Sequence, residues 1–138
     1  KRSLPELEKK KQMSWQGYVD DQLVATGHVK SGAIFGLDGS QWAITPGFGV
    51  QPAEAAAIAQ AAQNPASVLG GGINICGVKY MVLRSDENAI YCRKGSDGAC
   101  IAKTNQCVLV GLYGENQQAG QCNMVVEKLA DYLKENGY

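Results

Sequence analysis

The chain has 138 residues, 45% of them hydrophobic and 19% charged, which suits one domain with its own core. Thirteen Lys and Arg balance thirteen Asp and Glu, so the formal net charge is +0. That balance argues against nucleic acid as the main partner, because phosphate binding draws on a basic surplus.

The neutral total hides an asymmetry. Residues 1–12 hold five cations against two acids, a surplus of +3, which leaves eight cations against eleven acids in the rest. The block's one order signal is Ser3-Leu4-Pro5-Glu6, with the spacing of a capping box. It reads as a charged N-terminal extension or a fusion remnant, solvated, ahead of a domain spanning 13–138. It lacks the apolar centre of a signal peptide, and no apolar run approaches the ~20 residues that cross a bilayer. Cys76, Cys92, Cys100, Cys107 and Cys122 are odd in number and form no C-x-x-C pair. They read as reduced, mostly core residues of a cytoplasmic protein.

From Met13 onward the elements follow in order. Trp15, Tyr18, Val19, Gln22 and Leu23 recur at helical spacing, with Ser14 as N-cap. Thr26-Gly27 ends that helix. Ala33 to Leu37 reads as a strand, Asp38-Gly39 as a hairpin turn, and Gln41 to Ile44 as the returning strand. Pro52 opens a helix with Glu54 in its first turn, and Ile58 is its one bulky anchor. Asn64-Pro65 closes it. One further turn follows to Leu69, where Gly70-Gly71-Gly72 stops it.

The pattern then changes to period two. Strands are expected at 73–75, 78–84, 89–93, 99–103 and 107–113, with turns at Asp86-Glu87-Asn88 and Gly95-Ser96-Asp97-Gly98. The run from Cys107 to Tyr113 is the most continuously apolar and should be central. Val125, Val126, Leu129, Ala130 and Leu133 make the apolar stripe of a last helix, which Asn136-Gly137 ends. The fold class is therefore α+β: an antiparallel meander of six or seven strands. The terminal helices lie on one face and the short helices on the other.

Catalytic constellations are absent from this reading. His28 is the only histidine, which excludes a multi-histidine metal site. The glycine triplet lacks the Gly-Lys-Ser/Thr of a phosphate-binding loop. The chain reads as a non-enzyme without cofactor or metal. What remains is a binding surface. Trp15, Tyr18, Trp42, Tyr132 and Tyr138 share one patch if the chain ends lie side by side over the second strand. Such rings suit an extended proline-rich peptide; the alternative is plain core packing.

Met13-Ser14-Trp15-Gln16-x-Tyr18-Val19-Asp20 resembles the amino terminus of profilins, and Asp38-Gly39-Ser40-x-Trp42-Ala43 resembles their second-strand hairpin. Gly77 to Arg84 and Arg93-Lys94-Gly95 resemble the middle strands, and Gly120 to Leu133 the last helix of plant and amoeboid profilins. The blocks occur in order from Met13 to Tyr138.

The resemblance implies a monomeric actin-binding protein of the cytoplasm and cytoskeleton. It also implies binding to proline-rich proteins such as formins and to phosphoinositide lipids, with control of actin polymerisation and nucleotide exchange. It places the proline site at Trp15, Tyr18, Trp42, Tyr132, Leu133 and Tyr138. It places the actin face at Val68, Leu69, Lys79, Arg84, Lys94, Gly120, Asn123 and Glu127. Lys79, Arg84, Arg93, Lys94 and Lys103 are expected to line one side of the sheet and meet phosphoinositide headgroups; ordinary solvated strand charge is the alternative. A competing reading is a small-molecule or thiol-based sensor domain, which requires a cysteine of depressed pKa near His28.

Overall fold

Cys107-Val108-Leu109-Val110 offers no polar side chain to water on either face, and only a doubly covered strand can hold it. The computed structural model describes residues 15–138. The expected N-cap at Ser14, the capping box from Ser3 to Glu6 and the extension 1–12 lie outside the described residues. Seven strands form one sheet: β1 Ser31–Gly36, β2 Gln41–Ile44, β3 Gly72–Ile75, β4 Val78–Ser85, β5 Ala89–Lys94, β6 Asp97–Lys103 and β7 Cys107–Tyr113. Their order is β2-β1-β7-β6-β5-β4-β3, and every neighbouring pair is antiparallel. β7 sits between β1 and β6, with Ile34 opposite Leu109 and Cys100 opposite Gly111.

Strand alternation splits the core in two. Phe35, Ile101, Val108 and Val110 face the helix α1 (Pro52–Gln63) and the 3-10 turn Pro65–Val68. Ile34, Cys100, Cys107 and Leu109 face the N-terminal helix and the last helix, α2 (Ala119–Glu135). α1 is anchored by the fully buried Ile58, and its alanines let its backbone lie close to the sheet. α2 turns Cys122, Val126, Leu129, Ala130 and Leu133 inward. Gly111 of β7 lies directly beneath it: a Cβ there would stand 2.4 Å from Val126 Cγ2, so only glycine admits the helix at this depth.

Three local features depart from the expected elements. The N-terminal helix winds as a π-helix over Tyr18–Leu23 and tightens to a 3-10 turn over Val24–Thr26. Val19 and Leu23 are buried as its spacing predicts, but Gln22 is exposed, on the side of the helix that also carries Tyr18. The turn expected over residues 95–98 is only Gly95-Ser96, and Gly98 belongs to β6. The Tyr113 ring occupies the place where a side chain at 98 would stand, so this glycine is a packing requirement of the strand.

The third feature is the β3–β4 turn. It is built on Cys76 and Gly77, with φ of 54° and 77°. A cysteine in the left-handed region is unfavourable, and Glu54 of α1 offsets it. One carboxylate oxygen of Glu54 accepts from Cys76 N at 3.0 Å and the other from Gly77 N at 2.7 Å. The first also accepts from Gln51 N, capping α1.

Candidate functional site

The N-terminal helix and the C-terminal residue meet beside β2. Gln16 ties the N-terminal helix down: its Nε2 donates to Ile44 O at 2.9 Å and its Oε1 accepts from Ile44 N. This side-chain amide pairs with the strand edge as another strand would, and it sets Trp15 over Trp42. At the other end, Gly137 adopts φ 89°, a conformation costly for other residues. It donates to Lys134 O while Tyr138 N donates to Leu133 O, which closes α2 and turns the last residue back. Gln106 holds that turn, donating from its backbone to Tyr138 O and from its side chain to Gly137 O.

The result is one continuous cluster of rings. Trp15 lies 4.6 Å from Trp42, 5.0 Å from Tyr138 and 5.8 Å from Tyr18 between ring centroids. Tyr18 continues to Tyr132 at 6.1 Å. Most pairs meet edge to face, so the patch is ridged rather than flat. Tyr132 and Tyr138 are 49% and 40% exposed; Trp15, Tyr18 and Trp42 are half-buried. Leu133 does not share this exposure. It is fully buried, since its position on α2 continues the inward stripe of Val126, Leu129 and Ala130, and it supports the rings from below. Burial, followed by the neighbouring Tyr132 and Tyr138, pushes the Tyr18 phenol up, so it stays a hydrogen-bond donor well above neutral pH.

A second surface spans the open part of the sheet beside α2. Tyr91 of β5 donates to Glu127 of α2 at 2.5 Å, and the Arg84 guanidinium of β4 lies over the Tyr91 ring at 4.2 Å. Gly120, Asn123 and Glu127 follow one stripe of α2. The Lys79 stem lies over Gly72 of β3, and Arg93 Nε donates to Gly95 O. Met81, Leu83 and Leu69 add exposed apolar area, at 49%, 61% and 57% exposed. Val68 is half-buried against the α1-side core and Leu69 follows it at the β3 edge, away from α2.

The five cations expected as one headgroup site do not gather. Met81 pairs with Arg93, which brings Lys79 and Arg93 toward one end of the β4–β5 pair, while Arg84 sits near the other beside Tyr91. Lys94 alternates to the opposite side of the sheet from Arg93. Lys103 ends β6 at the Asp86–Ala89 turn, where its N–H donates to Asn88 O.

A family model described as Profilin matches residues 13–138. The chain belongs to the profilin family. Profilin-A of Physarum polycephalum is 52% identical over 126 residues, covering 91% of this chain and all of that one. The crystal structure of Acanthamoeba castellanii profilin II superposes with a TM-score of 0.85 at 44% identity, covering 90% of this chain and 99% of that one. Mouse profilin IIa, solved in complex with a double repeat from the FH1 domain of mDia1, shares the fold with a TM-score of 0.72 at 21% identity, covering 90% of this chain and 99% of that one. The seven-stranded sheet with its terminal helices on one face is thus the profilin fold.

The thiols do not meet the requirement of the sensor reading. Burial pushes Cys92 and Cys122 up to about 12 and raises Cys100 and Cys107 as well. Cys76 is exposed, yet partial burial and the Glu54 carboxylate raise it too. A reactive thiol needs the opposite shift. Among the described residues no group of three or more His, Cys, Asp or Glu could hold a metal.

Sequence reading missed Gln16, Tyr91, Met81 and Leu83. The two exposed apolar residues carried a signal, since they stand in a strand whose other face holds the buried Tyr80 and Val82. Gln16 and Tyr91 carried none, because their partners lie 28 and 36 residues away.

Proposed function

We propose that this profilin is a non-enzymatic adaptor of the cytoplasm that binds an actin monomer on one surface and a proline-rich protein of the formin type on another. The observation that carries the proline half is the run of rings from Trp42 through Trp15 and Tyr18 to Tyr132, with Tyr138 beside it. A proline helix is already extended and loses little entropy on docking. Its rings stack on the indoles and phenols, and its carbonyls accept from their N–H and O–H groups. The FH1 complex of the mouse relative supports this choice of ligand.

The actin half rests on family membership and on the second surface. Lys79, Arg84, Gly120, Asn123 and Glu127 combine with exposed apolar side chains there, as a protein interface requires. Leu69 stands at the β3 edge, while Lys94 and Val68 lie toward the other side of the sheet and fall outside this surface. An acidic partner would be steered to these cations. The same reading gives acceleration of nucleotide exchange on actin, tested by release of a fluorescent nucleotide from the monomer. Lys79, Arg84 and Arg93 are the cations we assign to phosphoinositide headgroups, tested by pelleting with vesicles that contain or lack the lipid. Residues 1–12 are assigned outside the domain, and the domain acts as a monomer.

Two substitutions separate the surfaces. Trp15→Ala should abolish retention on a poly-L-proline column and leave actin binding by co-sedimentation within twofold. Lys79→Glu should weaken actin binding and leave proline retention intact. Loss of both activities in each variant would contradict two independent surfaces.

A further inference from the structure

Past the Tyr18–Tyr132 ring pair the terminal helices stay apart and leave a groove of about 600 Å³ that the ring cluster does not use. One wall is the N-terminal helix, with Gln22 and Thr26 following Tyr18 at intervals of four. The other is α2, where Met124 and Lys128 precede Tyr132 at the same interval. Leu129, buried, forms the floor. Gln117 Nε2 donates to Gly27 O and ties the far end, beside His28. Among the described residues no carboxylate lines the groove and Lys128 makes no salt bridge. Met124 is 62% exposed at its rim.

We propose that this groove is a flanking subsite for the segment that continues a proline-rich ligand past the Tyr18–Tyr132 pair, and that it selects an acidic side chain on that segment through Lys128. The inference rests on the aromatic patch being the proline site. Continuity and charge both point to this occupant. The groove opens from the last ring pair, so a docked chain that runs on enters it. From Gln121 to Tyr132 α2 rises about 16 Å, which is about five residues of a proline helix at ~3.1 Å each. Lys128 stands one helical turn, about 5.4 Å, from Tyr132. The acidic residue therefore falls about two positions beyond the last docked proline. Met124, one turn further, then receives an apolar residue.

The test is a fluorescence titration of the full chain with three peptides. One is a bare proline run; the second carries the flank Ala-Glu-Ala-Leu; the third carries Ala-Gln-Ala-Leu. Each flanked peptide is made with the flank at either end, its order reversed when it precedes the run, because a proline helix can dock in both directions. In one of the two orientations the Glu peptide should bind about threefold to fivefold more tightly than the Gln peptide at low salt. That advantage should vanish in Lys128→Gln and fade in high salt. Equal affinities for the Glu and Gln peptides in both orientations, with the bare run still bound, would overturn the subsite alone. Failure of the bare run to bind would overturn the aromatic patch's role, and the subsite with it.

Discussion

Tyr91 and Glu54 each join elements that are distant in sequence, and both do so through a carboxylate. Tyr91 donates to Glu127 while Arg84 covers its ring, so one phenol fixes two charges of the proposed actin surface. Burial first, and the Glu127 hydrogen bond and charge next, raise this phenol well above its ordinary value. The folded pKa then exceeds the unfolded one near 10, so the associated stability is fully present below about pH 10. It is lost as pH rises from there through the folded value. Tyr91→Phe should flatten part of this alkaline decline in urea melts taken from pH 8 to 11; an unchanged slope would place the phenol's ionisation elsewhere. Glu54 accepts from three backbone donors, at Gln51, Cys76 and Gly77. Glu54→Gln keeps the shape but removes the charge and one acceptor. It should cost about 1–2 kcal/mol in urea unfolding.

At the scale of elements, the two proposed binding surfaces are set by how closely α2 approaches the sheet. Gly111 fixes that distance, since a methyl group there meets Val126, a stiff β-branched side chain. Gly111→Ala should destabilise the fold by about 1–3 kcal/mol through overpacking. It should also weaken proline and actin binding together, because Tyr132 and Glu127 ride on the same helix; column retention and co-sedimentation would show both losses. The N-terminal helix is held differently, by Val19 and Leu23 in the core and by Gln16 on the β2 edge. Its π winding over Tyr18–Leu23 departs from the ordinary α-helix.

For the molecule as a whole, the sheet separates a core shared with α1 from one shared with the terminal helices. The proposed proline patch lies at the seam of the N-terminal helix and the C-terminal residues, and the proposed actin surface on the open sheet beside α2. Four of the five thiols are shut inside this arrangement. Labelling with a thiol reagent should therefore modify Cys76 alone in the native state, slowly, and five sites once the chain is unfolded. Rapid native labelling of two or more would contradict the packing.

Much of this was legible in the chain. Strands β1, β2, β4 and β7 follow from alternation and apolar runs, and the end of α2 follows from Asn136-Gly137, because local sterics and burial patterns act over a few residues. The aromatic patch was legible as residue types but not as geometry: the sequence supplied the rings, and the Gln16–Ile44 and Gln106–Tyr138 contacts brought them within reach. The tertiary structure alone decided that Leu133 lies under the patch, that Gly98 is strand, that Lys94 turns away from Arg93, and that Tyr91 holds Glu127. Each depends on which face an element presents to a neighbour far along the chain, and local periodicity carries no information about that neighbour.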